Sequence, residues 1–229
     1  MMPGSQTLPE AGPLQADLFG APDAPGTREA LGPQSVVLRG FALPDVPALL
    51  PALQAVVQAV PLRHMVTPGG LAMSVALTNC GPLGWTSDRH GYRYADRDPL
   101  SGQPWPPIPA PFLALARAAA QAAGFEGFEP DACLVNRYVP GTRLSLHQDR
   151  DERSFAHPII SVSLGIAAVF LFGGLKRADR PARVPLFHGD VVVWGGVDRL
   201  RYHGVAPLKP AEHPLLGAQR INFTFRKAG

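Results

Sequence analysis

From residue 132 onward, apolar and polar residues alternate in short runs, over 132–138, 143–149, 159–165, 168–172, 184–187, 190–194, 201–205 and 219–226. Pro140-Gly141, Gly173-Gly174, His188-Gly189-Asp190 and Gly195-Gly196 punctuate them. A period of two with regular turns predicts antiparallel strands, and this many evenly spaced ones predict a double-stranded β-helix, or jelly roll. Upstream the period lengthens. Leu38 to Phe41 reads as a first strand, followed by Asp45 capping an amphipathic helix whose apolar face is Leu49, Leu50, Leu53, Val56, Val57 and Val60. A second helix is opened by Pro109 and Pro111, striped by Phe112, Leu115 and Ala119, and ended by Gly124. Residues 62–105 between them are rich in turn formers and hold Trp85, Tyr92, Tyr94 and Trp105, while residues 1–35 are dense in Gly and Pro with no sustained period. The predicted class is α+β, mainly β: a flexible tail over 1–35, then one domain over 36–229 whose jelly-roll core spans 130–229 and is braced by the N-terminal helices.

Several strands carry their polar residues on one face although they lie in a core-forming region. Arg220, Asn222, Thr224 and Arg226 alternate with Ile221, Phe223 and Phe225, and Asn136 and Tyr138 share a face of their own strand. A polar lumen explains this. His147 and Asp149 alternate in the same way within Leu144 to Asp149, and His203 stands far downstream in Arg201-Tyr202-His203-Gly204-Val205. Two imidazoles and a carboxylate are the ligand set that leaves half of an octahedral Fe(II) ion open. A His-x-Asp pair is weak by itself, and satisfied core or surface histidines are the alternative. Arg220, with its planar fork, suits the far carboxylate of a dicarboxylate ligand. Pairing of Arg220 and Arg226 with acidic residues in a structural network, or exposure on an edge strand, is the other reading.

Composition narrows the class. With 46% hydrophobic residues the chain can bury one sizeable core, and its net charge is only +3. No run of 18 or more apolar residues and no basic-then-apolar N-terminus is present, so neither export nor membrane insertion is supported and a cytoplasmic location is expected. Cys80 and Cys133 lack a C-x-x-C spacing and suit free thiols. The basic excess lies after residue 130, where Arg150, Arg153, Lys176, Arg177, Arg180 and Arg183 either meet phosphates or form an ordinary solvated surface.

The ordered motifs Leu134-Val135-Asn136-Arg137-Tyr138, Leu146-His147-Gln148-Asp149, Phe172-Gly173-Gly174, His188 to Gly196 and Arg220-x-Asn222-x-Thr224-Phe225-Arg226, with Leu83 to Thr86 and Gly91 to Tyr94, resemble the AlkB family over about residues 36–228. The resemblance implies an Fe(II)- and 2-oxoglutarate-dependent dioxygenase that uses O2 to remove alkyl groups from bases such as 1-methyladenine and 3-methylcytosine. Its substrate would be single- or double-stranded DNA, and to some extent RNA, with the enzyme acting as a monomer. It implies that His147, Asp149 and His203 hold iron. Arg220, Asn136 and Tyr138 would bind the far carboxylate of 2-oxoglutarate, with Asn222 and Arg226 near its chelating end. Trp85, Tyr92 and Tyr94 match a substrate lid over 62–105, Asp151 a group that reads the base, and Arg177 a phosphate contact. Trp194 matches a position beside the metal, and its plain reading is a core tryptophan.

Two departures stand out: Arg150 follows Asp149 where the family resemblance leads one to expect lysine, and Arg153-Ser154-Phe155-Ala156-His157 matches poorly. Two rival functions remain at this level, an oxygenase of the same chemistry acting on a protein or small molecule, and a jelly-roll binding module without catalysis.

Overall fold

The computed structural model describes residues 24–229. Thirteen strands are present among them, in the order β1 (Arg28–Gly32), β2 (Ser35–Leu38), β3 (Ala76–Cys80), β4 (Gly84–Asp88), β5 (Gly91–Ala95), β6 (Ala132–Tyr138), β7 (Leu144–His147), β8 (Ile159–Gly165), β9 (Ala168–Phe172), β10 (Ala182–Leu186), β11 (Val191–Trp194), β12 (His203–Val205) and β13 (Arg220–Arg226). Two helices, α1 (Val46–Ala59) and α2 (Ala110–Ala122), precede the second half. The strands form a seven-stranded sheet in the order β1-β2-β11-β8-β13-β6-β3, a four-stranded sheet in the order β10-β9-β12-β7, and the β4–β5 hairpin. The two larger sheets are the walls of the double-stranded β-helix.

The alternation in β13 decides how the layers stack. Its odd residues Ile221, Phe223 and Phe225 join the core beneath the helices, where Phe112 of α2 lies 4.3 Å from the Phe223 ring. Val46, Leu49, Leu53 and Val56 of α1 bury against the same layer. Burying each large aliphatic or aromatic side chain contributes about 1.5–3 kcal/mol, so one strand face suffices to fix the helices on that side. The even residues Arg220, Asn222, Thr224 and Arg226 then face the other sheet.

Four expectations are corrected. Residues 1–23 lie outside the described residues, but the stretch 28–35 expected in a flexible tail forms β1 and the start of β2, paired from Arg28↔Leu38 to Gly32↔Ser35. The first predicted strand ends at Leu38 rather than Phe41, because Gly40 turns the chain with φ +62 and gives its N–H to Asp190 Oδ1 at 2.8 Å. Asp45 stands at the start of α1 yet makes no side-chain capping bond, being preceded by a tight 3-10 turn that keeps it in helical backbone. Within 62–105, expected as the substrate-recognition lid, β3 is instead a buried edge strand of the large sheet, while Trp105 is a core plug whose Nε1 donates to Ala95 O at 2.9 Å.

β12 approaches β7 closely. A Cβ at Gly204 would lie 2.6 Å from the Leu144 carbonyl oxygen, and backbone cannot step aside as a flexible side chain does. Gly204→Ala is therefore expected to cost about 1–3 kcal/mol, a drop of several degrees in Tm, and to move the neighbouring His203. Thermal melting with and without iron checks both effects.

Candidate active site

The sheets enclose an open cavity of about 690 Å³. Twelve of the thirteen expected site residues line it: His147, Asp149, His203, Asn136, Tyr138, Arg220, Asn222, Arg226, Trp85, Tyr92, Asp151 and Arg177. Register explains the meeting of distant residues. His203 of β12 is the direct antiparallel partner of His147 at the end of β7, and their rings lie 4.4 Å apart. Asp149 follows just beyond β7, so one donor atom from each of the three residues falls within 4.8 Å of the others.

The imidazoles are oriented for a cation. His147 Nδ1 lies 2.9 Å from Ser145 O and His203 Nδ1 3.0 Å from Arg201 O. A carbonyl only accepts, so Nδ1 carries the proton in both rings and the Nε2 lone pairs are left facing Asp149, each Nε2 being 3.6 Å from a carboxylate oxygen. Burial, with the neighbouring His203, lowers the His147 pKa to about 4. Burial alone would raise Asp149, but Arg226, donating from Nη2 at 2.6 Å and Nε at 3.0 Å, and the histidines hold it well below the usual carboxylate range. Both shifts favour the deprotonated donor at neutral pH, the state a divalent ion needs.

Both depressed pKa values act in one direction on stability. The unfolded chain binds protons that the folded one refuses, so the stability each group contributes is present above its unfolded pKa and is lost as pH falls. For His147 the window runs from about 6.5 to about 4, although its side chain is 35% exposed and solvent weakens the effect. The metal-free protein is expected to melt progressively earlier as pH falls through that window, and His147→Ala to flatten the slope in a pH series of thermal melts.

Arg220 forms the other pole. It is 2% exposed, it donates from Nη2 to Ser163 Oγ at 2.8 Å, and its guanidinium carbon lies 5.0 Å from the Tyr138 ring centre. Its Nε and Nη1 are buried without a hydrogen-bond partner, and burial lowers its pKa, partly offset by Tyr138. The structural ion-pair reading thus applies to Arg226 and not to Arg220. An unsatisfied buried guanidinium edge costs free energy unless a ligand with two acceptors meets it, and a carboxylate does so with two parallel bonds. Three clustered donors of metal-ligating type and a carboxylate-ready fork in one cavity fit an iron ion and a dicarboxylate.

Around the mouth, Trp85 and Tyr92 stack at 5.6 Å and 14°, Trp85 Nε1 donates to Asp151 Oδ2 at 2.8 Å, and Arg177 lies 5.9 Å over the Tyr202 ring. Tyr94 is placed differently from the expectation: it does not line the cavity, and its hydroxyl donates to Glu152 Oε1 at 2.9 Å. Burial, with Glu152 adding to it, raises its pKa well above the phenolic norm. Trp194 packs 4.9 Å from His203 and lines the cavity with its Nε1 unpartnered, so it is both core and cavity wall. Exposed Arg150 reaches only Gln148, at 3.4 Å.

Sequence reasoning missed Ser161, Ser163, Glu152 and Arg199. The serines face Thr224 and Asn222 in register, and Ser161 Oγ accepts from Asn222 Nδ2 at 2.8 Å. Their signal was present in the alternation Ser161-Val162-Ser163-Leu164. Glu152 and Arg199 are buried and 3.1 Å apart, which two charged loop residues do not advertise.

Comparison with known proteins agrees with this geometry. The family model described as the 2OG-Fe(II) oxygenase superfamily matches residues 34–226. The chain is 58% identical over 212 residues to the alpha-ketoglutarate-dependent dioxygenase AlkB of Salmonella typhimurium, covering 93% of this chain and 97% of that protein. It is 54% identical over 213 residues to the Escherichia coli enzyme of the same name, covering 93% and 98%. Among solved structures, OsALKBH1 superimposes with a TM-score of 0.76 at 29% identity, covering 88% of this chain and 100% of that one.

Proposed function

The chain belongs to the 2OG-Fe(II) oxygenase superfamily, and we propose that the cavity between its sheets performs oxidative dealkylation of nucleobases in nucleic acid, a direct-reversal repair. The observation that carries this reading is the joint presence of the His147–Asp149–His203 cluster and the unsatisfied Arg220 fork in one cavity bordered by stacked aromatics. His147, Asp149 and His203 would hold Fe(II). Arg220, with Tyr138 and Asn136, would receive the far carboxylate of 2-oxoglutarate, and Asn222 and Arg226 would border its metal-facing end. Iron with 2-oxoglutarate and O2 supplies the oxidising equivalents that hydroxylate an N-alkyl carbon, with succinate and CO2 as coproducts.

The chain's own residues then bind and orient. A base must leave its stack to reach the cavity floor, which favours single strands or a flipped nucleotide. Trp85 and Tyr92 offer stacking surface worth about 1–3 kcal/mol per base. Asp151 accepts from an exocyclic amine, which adenine and cytosine carry, and its charge favours the cationic lesions 1-methyladenine and 3-methylcytosine over neutral ones. Arg177 at the mouth can meet a phosphate of DNA, and to a lesser extent RNA. The hydroxymethyl group left on nitrogen departs as formaldehyde, restoring the base with its glycosidic bond intact. A monomer suffices, since one chain supplies every residue named, and a cytoplasmic location would bring the enzyme to its nucleic-acid substrate. Among the described residues no helix is long and apolar enough to cross a membrane.

The test incubates the protein with iron, ascorbate, 2-oxoglutarate and an oligonucleotide carrying 1-methyladenine or 3-methylcytosine. Formaldehyde and restored base are expected in equal amounts. Succinate formation that ignores the methylated base would instead indicate an oxygenase of another substrate.

A further inference from the structure

The β4–β5 hairpin is held to the cavity rim at two positions that face each other across it. Trp85 and Tyr94 are antiparallel partners, and they donate to consecutive acids, Trp85 Nε1 to Asp151 and Tyr94 Oη to Glu152, at 2.8 and 2.9 Å. The two acids differ in kind. Asp151 is exposed and free to exchange its partner for an incoming base, whereas the Glu152 side chain is 1% exposed and lies in a charged network. Arg226 Nε is 3.3 Å from Glu152 Oε1, and the same guanidinium donates to Asp149 Oδ2. Arg199 Nη2 lies 3.1 Å from Glu152 Oε2, while its Nη1 donates to the Asp149 main-chain carbonyl at 2.8 Å. Glu152 therefore stands on two routes from Tyr94 to Asp149, one through the Asp149 side chain and one through its backbone.

Resting on the dealkylase reading, we propose that Glu152 is a positioning residue that fastens the base-stacking hairpin to the carboxylate of the metal-ligand cluster. It touches neither base nor metal. It holds Tyr94, so the hairpin keeps a fixed pivot when Trp85 releases Asp151 to a substrate amine. It also shares Arg226 with Asp149, so the guanidinium stays aimed at the ligand carboxylate. Hairpin closure and the orientation of Asp149 then become one event, and oxidant is spent only when a base is stacked in place.

Two substitutions approach this from opposite ends. Tyr94→Phe cuts the pivot and leaves the ion network whole, and Glu152→Gln retains an acceptor for Tyr94 while removing the charge that Arg226 and Arg199 share. Each is expected to raise KM for the methylated oligonucleotide about tenfold, the worth of one hydrogen bond to a charged group, and to raise the ratio of succinate formed to base restored. The double variant is expected to be no worse than the more impaired single one, since both act on one link. A second readout needs no metal: Trp105 and Trp194 are 5% and 2% exposed, so acrylamide quenching of tryptophan fluorescence in the metal-free protein reports Trp85, and quenching is expected to increase in both variants. Wild-type quenching with a wild-type succinate-to-base ratio, or additive effects in the double variant, overturns the proposal. If Glu152→Gln does not fold, Tyr94→Phe decides by the same two readouts. Absence of base repair by the unaltered protein would instead defeat the dealkylase reading, with the quenching result still deciding whether Glu152 pins the hairpin.

Discussion

Asp149→Asn is expected to lower base repair to about 1% of that of the unaltered enzyme or less, while leaving a folded protein. Groups that merely orient a metal ligand are worth about 10–100-fold in metal affinity or activity, and a ligand itself is worth at least as much. The amide keeps one acceptor for Arg226, whose hydrogen bonds at 2.6 and 3.0 Å now end on the Asp149 carboxylate, so the packing is retained while the negative charge is lost. Asp149→Ala removes that acceptor as well and leaves Arg226 buried against Glu152 alone. Breaking a buried pair in this way costs about 3–5 kcal/mol. The two variants therefore separate ligand loss from fold loss: both lack formaldehyde release, but only the alanine variant shows a large fall in Tm. Iron-dependent thermal stabilisation that survived Asp149→Asn at full strength would show that the ion lies elsewhere.

Arg220→Lys is expected to raise KM for 2-oxoglutarate by roughly 30-fold or more and to leave KM for the methylated oligonucleotide nearly unchanged. Truncating one partner of a buried, hydrogen-bonded charge pair costs about 2–5 kcal/mol, tens to thousands of fold in affinity, and lysine retains charge but not the two-pronged geometry. The stability of the ligand-free protein should move the other way. Arg220 is buried with Nε and Nη1 unpartnered, so Arg220→Met relieves an uncompensated charge and is expected to raise the Tm of the protein alone while eliminating the further rise produced by 2-oxoglutarate. This opposition is the mark of a residue kept for binding at the expense of stability. A thermal-shift titration reads both, and an unchanged 2-oxoglutarate response in Arg220→Met would remove Arg220 from the cosubstrate site.

Much of the site was legible because alternation exposes it. Arg220, Asn222 and Arg226 announce a polar face by standing between Ile221, Phe223 and Phe225, and the structure turns that face onto the cavity. The same rule applied to Ser161 and Ser163 would have found them, since they share β8 with Ile160, Val162 and Leu164. Residues off the strands were harder to read. Tyr94 belongs to an aromatic segment whose members look equivalent in sequence, yet hairpin register sends Tyr92 to stack on Trp85 and Tyr94 to Glu152. Glu152 and Arg199 lie in loops without periodicity, and a charge in a loop reads as solvated until a partner is seen beside it.

By itself the sequence determined which residues form strands, which face of each is polar, and which chemical groups are available, because a period of two and the turn residues between runs are local properties of the chain. It also determined membership in the family, through motifs that occur in order. Only the tertiary structure decided that His203 pairs with His147, that Arg226 is neutralised by Asp149 while Arg220 is left open, and that Glu152 links the hairpin to the metal side. Those outcomes depend on which distant strands become neighbours and in what register, and on burial that makes an unpaired charge costly. No local pattern encodes either of them; they follow from packing all the strands into one closed pair of sheets at once.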